Sequence, residues 1–266
     1  MKRLLATLIL LPIFLIAACS SSAKTDSASK TNTSGASAQR ANTDPLYSLT
    51  LMRQGSVLMQ QGRYDGALES FEEANRIAPG NATVQNMIGL CHLRLEQFDQ
   101  ALLAFNSALS LIPGFTDARN NRGAAYLSIG QYHLAEVDFV AVLGDSTYPH
   151  RKQVYFNLGM SYLQRGELGA AEENFRKSII LPSPVFDGYL RLAWLAQLQG
   201  EMDLSLSLLE EAKLNFPDRQ EVPLELGKLL MLMDRPDEAR PYLEQVIADA
   251  PRSPSADTAR ALLGQT

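Results

Sequence analysis

The chain has 266 residues, 46% of them hydrophobic and 20% charged, and its 24 basic and 29 acidic residues leave a net charge of −5. That much apolar material can build a sizeable core. The acidic balance and the lack of a basic stripe interleaved with aromatics exclude nucleic acid as the partner, and two cysteines, Cys19 and Cys91, are too few for a disulfide framework.

The N-terminus reads as an address. Lys2 and Arg3 precede an apolar stretch from Leu4 to Ile16, which closes on Ile16-Ala17-Ala18-Cys19. The stretch is too short to read as a membrane span, so residues 1–18 are expected to be a signal peptide. Without Lys2 and Arg3, two positive charges fewer, the net charge moves from −5 to −7. Residues 20–44 are mostly Ser, Ala, Thr and Asn and carry no large apolar side chain. Such a segment cannot bury a core, and residues 19–45 are read as a tether with a typical reach of about 25–30 Å. Residues 46–266 form the remaining domain.

From residue 48 the chain repeats itself. Gly55, Gly89, Gly123, Gly159, Ala193 and Gly227 follow one another at intervals of 34, 34, 36, 34 and 34 residues. Twelve residues after each mark stands Ala67, Ala101, Ala135, Ala171, Ser205 or Ala239, and sixteen after stands Phe71, Phe105, Phe139, Phe175, Leu209 or Leu243. Gly62, Gly130, Gly166 and Gly200 fall seven residues after the mark, where one helix must stop and another begin. Pro79, Pro113, Pro217 and Pro251 close four of the units. The pattern predicts helix, turn, helix in units 48–81, 82–115, 116–149, 152–185, 186–219 and 220–253. The small residues are expected to let paired helices approach, and the Phe column to fill space between neighbouring units. Pro241 should kink its helix or shift its start. A last helix from Ser255 to Leu263 is expected to cover the final unit's open face.

These columns resemble the tetratricopeptide repeat family. The resemblance implies an all-α, right-handed superhelical solenoid of six repeats with a short C-terminal capping helix, whose function is to bind other proteins rather than to catalyse.

The residues themselves offer no chemistry. His92, His133 and His150 lie in different units with no ligand at metal spacing, so neither metal nor cofactor is expected, and no nucleophile motif or phosphate loop is present. A small-molecule substrate is not expected either. Cys91, on a first helix, is expected to be a buried inert thiol. The acidic runs Glu69, Glu72, Glu73 and Glu172, Glu173 fall on second helices and read as solvated faces, with Lys177 four residues after Glu173 as an ion-pair partner. First helices are expected to line the concave side. There the candidate partner-binding residues are Leu49, Met52, Met59, Asn86, Leu93, Asn121, Leu127 and Asn157, an apolar groove with amides along it. Methionine adapts to varied partners, and side-chain amides can pair with a peptide backbone.

Two further resemblances concern location and role. The ending at Cys19 resembles a bacterial lipobox, which implies that Cys19 becomes a lipidated first residue and that a membrane is engaged by lipid alone. Ser20 after it, where the resemblance would want Asp for inner-membrane retention, implies the periplasmic face of the outer membrane. The stretch from Tyr148-Pro149 and Arg151 through Val154 to Asn157-Leu158-Gly159 and Gln164 resembles the type IV pilus pilotin lipoproteins. That resemblance implies promotion of secretin localisation and oligomerisation, with a secretin subunit as partner. A general envelope adaptor of the same fold, binding another envelope protein segment, is the alternative.

Overall fold

The protein's structure, a computed structural model, describes residues 45–180 and 183–264, and within them every regular element is an α-helix. Six helical pairs follow in order: α1 Pro45–Gln60 with α2 Tyr64–Ile77, α3 Ala82–Arg94 with α4 Phe98–Leu111, and α5 Thr116–Ser128 with α6 Tyr132–Leu143. Then come α7 Arg151–Gln164 with α8 Leu168–Ile180, α9 Phe186–Gln199 with α10 Met202–Asn215, and α11 Glu221–Leu232 with α12 Pro236–Asp249. A single helix, α13 Pro254–Leu262, follows. This is the tandem helix-turn-helix array that the 34-residue beat predicts. The chain divides into two compact units within α6, one ending at Asp138 and the other starting at Phe139.

The mark residues explain why the helices pair. A Cβ placed on Gly55 would lie 2.9 Å from the Phe71 ring, one on Gly89 2.6 Å from Phe105, and one on Gly159 2.7 Å from Phe175. On Gly227 it would meet Leu243 at 2.4 Å. These distances are shorter than any real Cβ contact, so the ring of the second helix lies directly on the bare backbone of the first. The Phe column was expected to fill the space between units, and the structure shows a second duty. Phe71 covers Gly55 in its own unit and also clusters with Val84, Ile88 and Cys91 of the next. One fully buried ring thus ties three helices, and burying such a ring stabilises by about 1.5–3 kcal/mol.

The turn between paired helices always places one residue in the left-handed region. Gly62, Gly130, Gly166 and Gly200 sit there at φ 72°, 75°, 78° and 83°, and the corresponding residues of the second and sixth pairs are Glu96 and Asp234, both at φ 59°. The turn geometry is therefore kept even where glycine is absent, at a strain of about 1–2 kcal/mol for each non-glycine residue.

Helix ends follow local chemistry. Asn81 caps α3, its Oδ1 accepting from the backbone N–H of Thr83 at 2.9 Å and of Val84 at 3.3 Å. Ser253 caps α13 by accepting from the Ala256 N–H at 3.1 Å, with Pro254 preorganising the first turn. Ala259, Leu262 and Leu263 then pack against Leu224, Leu230, Leu243 and Val246, covering the last pair. Pro241 lies inside α12, which starts at Pro236 and runs through to Asp249, so the start is not shifted to Pro241. As the sixth residue of α12 it lies beyond the first four N–H groups that lack an intrahelical acceptor, so it removes the bond that would reach the Asp237 carbonyl.

The two-residue insertion between the third and fourth pairs is built into the packing. Tyr148 is buried and meets His150 edge-on, with ring centroids 5.6 Å apart. Arg151 Nη1 donates to the carbonyls of Leu143 and Asp145, both at 2.7 Å, while its Nη2 donates to Tyr155 Oη at 3.2 Å. The extra residues thus close α6 and start α7.

Gly89→Ala should lower stability by about 1–3 kcal/mol through overpacking against Phe105. Phe105→Leu should cost stability in the wild-type background yet recover part of the loss in the Gly89→Ala background, because this chain already carries Ala193 and Leu209 in the same two columns. A double-mutant cycle by urea denaturation measures the coupling, and simple additivity would contradict the ring-on-glycine contact.

Candidate partner-binding surface

Each first helix buries the faces turned to its neighbours and leaves one face over. On α9 the buried set is Phe186, Gly188, Tyr189, Leu192, Ala193, Leu195 and Ala196, and the half-buried set Asp187, Leu190, Arg191 and Trp194 falls on the opposite side at spacings of three and four. The equivalent positions on α1 are Leu49, Met52, Arg53 and Ser56, and on α7 Gln153, Phe156 and Asn157, the fourth there, Met160, being buried. This left-over face is where a partner can touch the array.

The eight expected residues distribute unevenly over it. Leu49 is 59% exposed, and Met52, Asn121 and Asn157 are partly exposed. Met52 and Met59 both pack against the cluster of Phe71, Val84 and Ile88, so part of each is spent on the core. Asn86, Leu93 and Leu127 are buried, at 2%, 3% and 7% exposure, which corrects their assignment to a contact surface. Leu93 and Leu127 stand ten residues after Thr83 and Asp117, turning them about 80° round the helix from the open face. Asn86 does lie on that face, but the next pair covers it: Asn121 Nδ2 donates to Asn86 Oδ1 at 3.0 Å. The amide ladder read along the groove is thus partly an internal bond between first helices. Cys19 lies outside the described residues.

The strongest polar feature of the first unit is absent from the sequence reading. Arg122 on α5 donates through Nε and Nη2 to the two carboxylate oxygens of Asp138 on α6, at 2.8 and 2.7 Å, and through Nη1 to Asn106 Oδ1 at 2.7 Å. Asp138 is 1% exposed. The bidentate bond to Asp138 holds the Arg122 guanidinium above its ordinary pKa against the opposing effect of burial. Arg122 and Asp138 stand sixteen residues apart, as Gly55 and Phe71 do, so the ion pair spans paired helices as the ring-on-glycine contact does.

The remaining expectations concern inert residues. Cys91 is fully buried, and burial, with Glu72 adding to it, pushes its thiol up to about 12, so no thiolate forms at neutral pH. Glu172 pairs with Arg176 at 2.8 Å and Glu173 with Lys177 at 2.6 Å along α8, so this carboxylate run is an exposed, internally paired helix face. No metal-binding group of His, Cys, Asp and Glu occurs among the described residues, and none of the described helices is long and apolar enough to cross a membrane.

Paired helices of this length and register, stacked in tandem, define a helical repeat scaffold that binds other polypeptides. Tetratricopeptide repeat models match residues 47–113, 86–145, 152–180 and 189–263, and the chain belongs to the tetratricopeptide repeat family. No curated protein matches it by sequence. Among solved structures, PilW, described as a widely conserved type IV pilus biogenesis factor, is 22% identical with a TM-score of 0.71, covering 79% of this chain and 97% of PilW. PilF of Pseudomonas aeruginosa is 21% identical with a TM-score of 0.69, covering 80% and 96% respectively. A tetratricopeptide repeat protein of Parabacteroides merdae is 20% identical with a TM-score of 0.62, covering 82% and 87%. At these identities the likeness is one of fold.

Two variants separate surface from packing. Leu49→Glu should leave stability within about 0.5 kcal/mol of wild type, as an exposed substitution does, whereas Met59→Glu should cost several times more by forcing a charge against the core. Thermal denaturation of both checks this, and an equal loss would contradict the division of the face. Asp138→Ala should cost about 3–5 kcal/mol because it strands the Arg122 charge, read as a shift in the urea midpoint.

Proposed function

We propose that this chain is a lipid-anchored pilotin of type IV pilus biogenesis, which promotes outer-membrane localisation and oligomerisation of the secretin. The observation that carries the reading is the near-complete coverage of PilW and PilF, 97% and 96% of their lengths. The lipobox-like ending at Cys19 and the polar segment that follows it support the same reading, because they would hold the repeats at a membrane while leaving them free to sample the space beside it. The open face carrying Leu49, Met52, Arg53 and Asn121 supplies the capture surface.

Physically, a tether converts capture of a secretin segment into a local event at raised effective concentration, and covering apolar surface on an unassembled subunit suppresses misassembly. Neither step needs catalysis. The test is the amount of detergent-resistant secretin multimer in envelopes of cells with and without this protein, and with Cys19→Ala. The expected result is loss of multimer while monomer persists in the deletion, and a partial loss in Cys19→Ala. Unchanged multimer in the deletion would overturn the pilus reading and favour a general envelope adaptor, leaving the fold as it stands.

A further inference from the structure

One line of surface is uncharged on α4 and α6 and charged on every other second helix. In each second helix the residues fourteen and seventeen after the mark are exposed. Glu69, Arg176, Glu210 and Glu244 stand in that line on α2, α8, α10 and α12. On α4 the two positions hold Leu103 and Asn106, and on α6 Val137 and Val140. Leu103 is 68% exposed, Val137 57% and Val140 52%. Packing within the array is common to all the pairs and does not account for an apolar row on two of them. Apolar surface left to water in this way marks a contact site.

Arg122 holds these two helices side by side, since it donates to Asn106 of α4 and to Asp138 of α6, the residue next to Val137. Leu103 and Val137 share one register position, so the repeat sets them level on neighbouring helices. Asp99 and His133, ten residues after their marks, are likewise level, and both are exposed. A two-fold axis lying in this surface, midway between α4 and α6 and parallel to them, lays α4 of one copy on α6 of another. Leu103 then meets Val137 and Asp99 meets His133, each twice. His133 Nδ1 lies 3.2 Å from Glu136 Oε2 of its own helix, which leaves Nε2 for Asp99.

We propose that this face pairs two copies of the chain. Residues 20–44 carry no large apolar side chain and cannot cover it. A lipid surface is disfavoured, because neither Lys nor Arg stands in the line on α4 or α6, while Glu69 and Glu72 stand on α2, which shares a core cluster with α4 through Phe71 and Ala104. A second copy avoids that repulsion: the axis carries α2 beyond α6 of the other copy, so the α2 carboxylates do not meet their own images. The face is about 20 Å long and, at two helices, about 20 Å wide. Pairing therefore buries on the order of 400–500 Å² per copy, which is small for a specific contact and fits a weak, reversible dimer. Such a pair offers two open faces to a partner with repeated segments, which raises avidity without any new contact.

The test uses the full chain with Cys19→Ala in density-matched detergent, where the buried Cys91 is the one native thiol left. Sedimentation equilibrium should show a monomer and dimer in exchange, with a Kd on the order of 100 µM. Leu103→Glu with Val137→Glu should weaken pairing at least tenfold, and Leu49→Glu should leave it unchanged. For the geometry, a Leu103→Cys chain mixed with a Val137→Cys chain should form an interchain disulfide under mild oxidation several times faster than either alone. Glu69→Cys, at the same register position on α2, mixed with Val137→Cys is the control. A monomer at every concentration, a dimer indifferent to the double substitution, or cross-linking no faster than the control or fastest within a single variant would overturn the proposal. A monomer that floats with phosphatidylcholine vesicles in a Leu103-dependent way would assign the face to lipid and overturn it too. The double variant should also keep the wild-type melting temperature, and a clear fall would make Leu103 and Val137 packing residues and overturn it as well. No pilus component enters these measurements.

Discussion

The contact on which this structure depends is an aromatic ring laid on a bare stretch of helix. Phe105 reaches to where the Gly89 Cβ would be, so the ring of α4 packs on the backbone of α3 where any side chain at that position would displace it. The same ring column, as Phe71 shows, reaches into the following pair, so one residue type sets both the geometry within a unit and the seat of the next. That constraint fixes a spacing of sixteen residues between glycine and ring. It also explains where the array tolerates change. The two extra residues between the third and fourth pairs lie in the connection before α7, and Gly159 and Phe175 keep their spacing and contact. An insertion inside a pair would separate ring from glycine and lose the contact outright.

How much of this was legible follows from what repeats. Residues that act the same way in every unit form columns, and columns are visible in one sequence: the glycine marks, the alanines, the rings and the turn glycines. The closing helix was legible for a similar reason, since an array must end on something that hides its last apolar face. Glu96 and Asp234 were not, because a residue held at positive φ by its neighbours carries no signature of its own. Leu93 and Leu127 show a different failure. They are apolar residues on the expected helices, and only counting ten residues round the helix turns them from the open face toward the core. The register needed for that count was already fixed by the glycines.

Polar residues were harder still, because their meaning depends on what meets them. Asn86 and Asn121 stand on the open face by spacing, yet they bond to each other and make part of the apparent groove an internal joint. Asp138 precedes a ring-column residue and looks like any acidic residue on a second helix, yet it is buried and holds Arg122 with both oxygens. No column announces this pair, since the other units place different residues there. Such single-use contacts give a repeat array individuality: they distinguish one joint from the next in a structure whose backbone treats them alike.

Arg122 and Arg191 bring the two kinds of polar residue side by side. Both sit on first helices and both lose part of their hydration. Arg122 faces its paired helix, finds Asp138 and Asn106 at hydrogen-bond distance, and gains in basicity from them. Arg191 shares the open face of α9 with Asp187, its one electrostatic partner among the described residues, and loses basicity through burial. A fold can carry an uncompensated buried charge at a cost, but packing alone gives no reason to place one on the face left over for partners. Whether an arginine meets a fixed carboxylate on a neighbouring helix therefore separates the residue that joins the scaffold from one whose desolvation the described packing leaves largely uncompensated.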